Sequence, residues 1–141
     1  IAADSLGGAN ACLDMTVEYL KTRRQFDRPI AMFQALKHRC ADLKTQIAAA
    51  EALLWQRAAD PGASIADLGV TKALANDCYL GVTEEAIQLH GGIGLTEEHS
   101  CHLCMKRAML NAQLSGNSDH WREAAGRQAL AEYAYTNLPL P

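Results

Sequence analysis

Aromatic residues are scarce in this 141-residue chain: two Phe, two Trp and four Tyr, or 6%. With so few rings, a core has to be filled by aliphatic side chains. Proline occurs four times, twice within the last three residues, so long stretches are free of helix breakers. Neither sign of charge dominates. Thirteen basic against sixteen acidic residues leave a net charge of −3, which excludes the strong positive footprint of a nucleic-acid or anionic-membrane binder. No apolar run approaches the ~20 residues of a membrane span. The first residues, Ile-Ala-Ala-Asp, carry no Met, basic n-region or apolar h-region, so they do not read as a signal peptide, and a start on Ile reads as trimmed. Five cysteines (Cys12, Cys40, Cys78, Cys101 and Cys104) form an odd, irregular set unlike a disulfide framework. Cys40 and Cys78 fall at helical core spacing, where a free thiol acts as a small hydrophobe. An intracellular, cytoplasmic setting is expected.

What the chain has in quantity is Ala (25) and Leu (18), residues that lose little entropy in a helix. Five helices are predicted. The first runs from Asp4 or Ser5 to Arg24, with Leu6, Leu13, Val17 and Leu20 on one stripe, and stops ahead of Pro29. The second shows Phe33, Leu36, Cys40, Leu43, Ile47, Ala50 and Leu54 at alternating steps of three and four, a coiled-coil-like seam. It ends near Ala59, and Asp60-Pro61-Gly62 makes a turn. Ser64 and Asp67 form a capping pair for the third helix. Its buried side is read as Leu68, Thr71, Ala75, Cys78, Val82 and Leu89, with Gly91-Gly92 as its end. Thr96-Glu97-Glu98 opens a fourth helix, amphipathic through Leu103 and Leu110, that closes near Ser115-Gly116. A final helix follows Ser118 with Trp121, Ala125, Gln128 and Tyr135, and the tail from Leu138 is read as frayed. No strand pattern competes, so the expected fold is an all-α, mostly up-and-down bundle of four to five helices in a single domain spanning residues 1–141.

Three stretches carry chemistry-bearing residues. His99, Cys101, His102 and Cys104 are suitable zinc ligands by type, but a regular helix puts the two thiols and the two imidazoles on different faces, so no metal site is expected without an irregular backbone. Arg23, Arg24 and Arg28 crowd a helix end. They suit either the negative end of a helix dipole or the oxygens of a phosphate. Gln88-Leu89-His90-Gly91-Gly92-Ile93-Gly94 reads either as a glycine helix end or as backbone left open to a ligand. On sequence alone His90, with acids on both sides, reads as solvated polar surface.

Two longer stretches go beyond generic patterning. One runs from Ser5-Leu6-Gly7 through Val17-Glu18-Tyr19 and Arg23-Arg24-Gln25-Phe26 to Phe33-Gln34 and Lys37-His38-Arg39; the other is Gln88 to Glu97. Together, in this order and at this separation, they resemble the C-terminal helical domain of the acyl-CoA dehydrogenase family. The resemblance implies a flavoenzyme that also has an N-terminal helical domain and a middle β-domain, usually a tetramer, homomeric or heteromeric. It oxidises acyl-CoA thioesters to 2-enoyl-CoA and passes electrons to an electron-accepting flavoprotein. It further implies FAD bound between subunits. Arg23, Arg24, Gln25, Phe33 and Gln34 would lie against the cofactor, Phe26 would pack nearby, and Gln88, Leu89, His90, Gly91 and Gly92 would complete the pocket.

The sequence departs from the family pattern in one place that matters for chemistry. A Glu-Gly-Thr element carrying the proton-abstracting carboxylate corresponds here to Ser115-Gly116-Asn117, followed by Ser118 and Asp119. Gly116 would face substrate and Asn117, Ser118 and Asp119 would face FAD, but Ser115 is no base, so no catalytic residue is assigned. Upstream, Lys106-Arg107-Ala108-Met109 replaces a usual Arg-Asp-Ala-Lys run. Two family-based explanations stand: a base supplied from a position before Ile1, or a base-less subunit of a heteromeric enzyme. A stand-alone helical binding module is the third reading. The 141 residues by themselves are expected to be inactive and to retain little FAD.

Overall fold

The computed structural model describes residues 1–137, with side chains through residue 134. The expected features at Tyr135 and in the tail from Leu138 therefore lie outside the described side chains and residues. Five α-helices account for most of the rest: α1 (Ala2–Thr22), α2 (Gln34–Ala58), α3 (Ile65–His90), α4 (Cys101–Gln113) and α5 (Ser118–Asn137). No helix among them is long and apolar enough to cross a membrane.

α3 is the axis of the bundle, packed against α1, α2, α4 and α5. It buries residues around most of its circumference, from Gly69 and Ala73 to Val82, Ala86 and Leu89, as a central helix must. Ser64 opens it with a full capping box: its side chain accepts from the Asp67 amide and the Asp67 carboxylate accepts from the Ser64 amide. Leu6, Ala9 and Leu13 of α1 meet Leu43, Ile47 and Ala50 of α2 and Ala75, Tyr79 and Val82 of α3 in one continuous core. The predicted α2 seam is the one that packs there.

Five expectations are corrected. α1 begins at Ala2 and ends at Thr22, because Arg23 is already extended (ψ 126°). A two-residue antiparallel hairpin follows, β1 (Arg24–Gln25) on β2 (Arg28–Pro29), where no strand was expected. Its central residues, Phe26 and Asp27, both have positive φ (54° and 61°), the geometry of a tight hairpin turn. α4 opens at Cys101 and not at Thr96, because Gly91–Leu95 forms a 3₁₀ turn and irregular chain continues to Ser100. α4 is also rotated relative to expectation: Leu103 is 57% and Leu110 50% exposed, while Cys101, Ala108 and Asn111 are buried. Small and polar residues face inward because the contact with α1 and α3 is close and hydrogen-bonded. Asn76 Nδ2 donates to Asn111 O (2.9 Å), Asn111 Nδ2 to Ser5 Oγ (3.0 Å), and Ser5 Oγ to Asn76 Oδ1 (2.6 Å). Leu68 of α3 is likewise exposed, at the edge of the bundle.

Candidate functional site

The two motif stretches meet at one end of the bundle. Tyr19, one turn before the end of α1, donates from its hydroxyl to His90 O at the end of α3 (3.3 Å), and the two rings stack at 4.4 Å. Arg23 emerges one turn beyond Tyr19, and its amide donates to Tyr19 O. Beyond it the hairpin projects outward. Arg23, Arg24 and Gln25 are exposed, and none of the ion pairs among the described residues uses Arg23, Arg24 or Arg28. Arg24 Nη2 donates to Asp27 O (2.6 Å), which braces the turn. Phe26 is 84% exposed, and its ring meets Phe33 edge-on at 6.0 Å, while the Arg28 guanidinium lies 4.2 Å over the Phe33 ring. Gln34, exposed at the start of α2, hydrogen-bonds His38 (2.9 Å).

At the facing end of α3, Gly91 takes φ 64°, and the positions where a Cβ would stand on Gly91 and Gly92 are open space. Both glycines are exposed, so a ligand can reach their backbone. Gln88 is exposed beside them. Leu89 is buried in the core, which leaves only its backbone for a ligand. His90 is not solvated as expected: it is 4% exposed, wedged between Tyr19 and His99, and burial holds its imidazole below the ordinary histidine range. This set joins uncompensated guanidinium groups to open glycine backbone, a donor set that fits the charged phosphates of a dinucleotide.

The second set, Ser115 to Asp119, lies elsewhere. It is tied to α3 at Lys72 and Asp77, whose distance along the helix from His90 is about 20–27 Å at 1.5 Å per residue. Lys72, almost fully buried, donates from Nζ to Ala112 O (3.2 Å) and Gly116 O (2.5 Å). Burial draws its ammonium below the usual lysine range, and the Asp77 charge opposes that. Ser118 Oγ donates to Asp77 Oδ1 (2.6 Å), Arg122 pairs with Asp77 (2.5 Å), and Asn117 Oδ1 accepts from the His120 amide (2.9 Å) at the start of α5. Ser115 and Gly116 both have positive φ (57° and 90°), and Ser115 O accepts from Trp121 Nε1 (2.9 Å). Asp119 is exposed and lies 3.5 Å from Arg122. The loop is thus held in a defined shape by Lys72, Asp77 and Arg122. None of these three residues belongs to a motif singled out in the sequence.

The sequence profile of the acyl-CoA dehydrogenase C-terminal domain matches residues 1–130. The chain belongs to that family. Acyl-CoA dehydrogenase IpdE2 of Mycolicibacterium smegmatis is 47% identical over 116 residues, 82% of this chain and 37% of that protein. Butyryl-CoA dehydrogenase from Megasphaera elsdenii superposes with a TM-score of 0.86 at 35% identity, over 92% of this chain and 34% of that one. A steroid ACAD, Tcur3481-Tcur3483, gives 0.86 at 33% identity, over 94% and 38%. An FAD-dependent dehydrogenase and an FAD complex of PigA occur among the solved structures of this fold, each at 27% identity. The chain spans about a third of the length of the curated relatives it matches. Acyl-CoA dehydrogenase family membership accounts for the all-α bundle and for the order of the two motif stretches.

Proposed function

We propose that this domain works within an FAD-dependent acyl-CoA dehydrogenase and forms one wall of the cofactor site. The single observation that carries the reading is the bond from Tyr19, one turn before the exposed Arg23–Arg24 segment, to His90, the residue just before the open Gly91–Gly92 backbone. FAD, when bound, accepts the hydride that leaves the β-carbon of the acyl-CoA thioester. The residues here bind and orient: Arg23 and Arg24 neutralise phosphate oxygens, Gln25, Gln34 and Gln88 supply side-chain amides, and Gly91 and Gly92 keep the approach clear. Phe33 stiffens the wall through its contacts with Phe26 and Arg28. On the far loop, Gly116 faces the acyl substrate, and Asn117, Ser118 and Asp119 line the cofactor side. Ser115 holds no proton-abstracting role, since an unassisted hydroxyl cannot take the α-proton. The outward leucines of α4, Leu103 and Leu110 with Leu114, serve as assembly surface in an oligomer. The electrons pass to an electron-accepting flavoprotein, and the setting is the bacterial cytoplasm.

A second reading is favoured by Ser115 at the base position: this is the base-less subunit of a heteromeric enzyme that completes the cofactor site of a related chain. The two readings part in one experiment. The protein carrying this domain is assayed with a panel of acyl-CoA thioesters and an artificial electron acceptor, alone and co-expressed with a paralogue. Turnover alone supports the first reading, turnover only on co-expression supports the second, and turnover in neither arm sinks both. The 141 residues alone are inactive and hold FAD weakly; stoichiometric FAD retention by them would refute that.

A further inference from the structure

Thiols from two helices meet where α1 packs on α4, outside the residues assigned to flavin. α1 buries Ser5, Ala9, Cys12 and Thr16 on one face, and α4 buries Cys101, Ala108 and Asn111, with half-buried Cys104 on the same stripe. Steps of three and four keep each set on one side of its helix. Two contacts fix how the stripes are matched. Asn111 Nδ2 donates to Ser5 Oγ (3.0 Å) at one end, and the rings of Tyr19 and His99 meet edge-on at 6.1 Å at the other. The two helices therefore run antiparallel. About two turns onward from Ser5 and about two turns back from Asn111 stand Cys12 and Cys104.

The side chains meet as that register requires. The Cys12 thiol hydrogen-bonds the Cys104 sulfur, and the Tyr79 hydroxyl of α3 donates to the same atom. Cys12 belongs to the core and Cys104 packs against it. Cys101 has a partner of its own, with His99 Nδ1 at 3.2 Å from its sulfur. The two facing sulfurs are chemically unequal. Cys12 is 0% exposed, and its hydrogen bond to Cys104, together with burial, keeps it a thiol well above the ordinary cysteine range. Cys104 is pulled the other way. The hydrogen bond from Cys12 favours its thiolate; burial opposes this, while Tyr79 and the backbone at the start of α4 add to it. A half-buried thiolate against a buried thiol is the arrangement of an attacking cysteine beside its resolving partner.

We propose that Cys12 and Cys104 are a redox-active pair that peroxide closes into a reversible disulfide, tying the middle of α1 to the first turn of α4. The Cys104 thiolate attacks one peroxide oxygen, the O–O bond breaks, and the departing hydroxide takes a proton to become water. Cys104 is then a sulfenic acid. The Cys12 sulfur attacks Cys104 Sγ, the S–O bond breaks, and the hydroxyl leaves with the Cys12 proton as a second water. Two thiols and one hydrogen peroxide thus give one disulfide and two waters. A dithiol reductant reverses the change by thiol–disulfide exchange. The pair does not rest on the flavin reading, and its test needs no turnover.

The protein carrying this domain is reduced, freed of reductant and exposed to hydrogen peroxide while folded. Remaining thiols are alkylated, and the digest is mapped by mass spectrometry. A peptide pair joined through Cys12 and Cys104 is expected in most chains, and dithiothreitol abolishes it. Cys104→Ser, at a half-buried position, leaves Cys12 a free thiol. Cys12→Ser leaves Cys104 to proceed to sulfenic and sulfinic acid. Should Cys12→Ser fail to fold by circular dichroism, the wild-type map and Cys104→Ser decide. Linkage of Cys104 to Cys101, the pairing that C-x-x-C spacing at a helix start favours, overturns the proposal. So does wild-type Cys104 sulfinic acid beside a free Cys12, the absence of oxidation at both, or an equal yield of the linked peptide from urea-unfolded protein.

Discussion

The Tyr19 hydroxyl reaches the His90 carbonyl across 71 positions of sequence, and the same two residues stack ring on ring. One residue on α1 thereby fixes where α3 ends. Tyr19→Phe removes only the hydrogen bond and is expected to cost about 0.5–1.5 kcal/mol. Tyr19→Ala also removes the ring pair, worth about 0.5–1.5 kcal/mol beyond its buried area. Urea unfolding of the two variants separates these contributions; equal losses would show that the stack contributes nothing.

The hairpin arginines are expected to matter for the cofactor and not for the fold. Arg23→Ala, at an exposed position with no ion pair, should change stability by no more than about 0.5 kcal/mol. In the flavin-loaded assembled protein the same change should lower retained FAD. Arg23→Ala with undiminished flavin content would remove the arginine from the site.

Gly69 sits against Trp121 so closely that an added Cβ would fall 2.0 Å from the indole ring. Gly69→Ala must therefore displace Trp121 and separate α5 from α3, a cost of about 1–3 kcal/mol for overpacking. Trp121→Ala in the same chain should relieve part of it, so the two losses add to less than their sum. Strict additivity would contradict the contact.

Asp4 is bound by Arg107 through two hydrogen bonds (3.0 Å each) and by Asn111 (2.6 Å), and these hold its carboxyl below the usual aspartate value of 3.8. Because the folded value is lowered, this stabilisation is complete above pH 3.8 and is lost as pH falls through the folded value. The stability difference between the wild type and Asp4→Asn should be flat from neutral pH down to about 4 and shrink below it. Chemical denaturation across that range checks the prediction, and a difference independent of pH would contradict it.

Local signals in the sequence located what local physics decides. Ser64 with Asp67, the α2 seam through Leu43, Ile47 and Ala50, and the glycine end of α3 all depend on neighbours a few residues away. The orientation of α4 does not. Its two leucines are the obvious core candidates, yet the buried face is set by Ser5, Asn76 and Asn111, which meet only after 35 to 106 residues of chain have folded back. The hairpin leaves no strong signal in the sequence because Phe26-Asp27 is an unusual pair for a turn with positive φ at both positions. His90 read as surface because its neighbours in sequence are acidic; its neighbours in space are Tyr19, His99 and Cys101. The arginine and glycine motifs were visible as strings, but their meeting depends on one tyrosine.

α3 carries both candidate surfaces, one anchored at Lys72 and Asp77 and the other at its last residue. Along a helix, separation and angular phase are locked together at 3.6 residues per turn. Inserting one residue between Asp77 and Gln88 would therefore advance one surface by only about 1.5 Å but swing it about 100° around the axis relative to the other. The helix acts as a gauge with a keyway: substitutions along its outer side are tolerated, whereas a change of length by anything other than whole turns puts the two surfaces out of alignment.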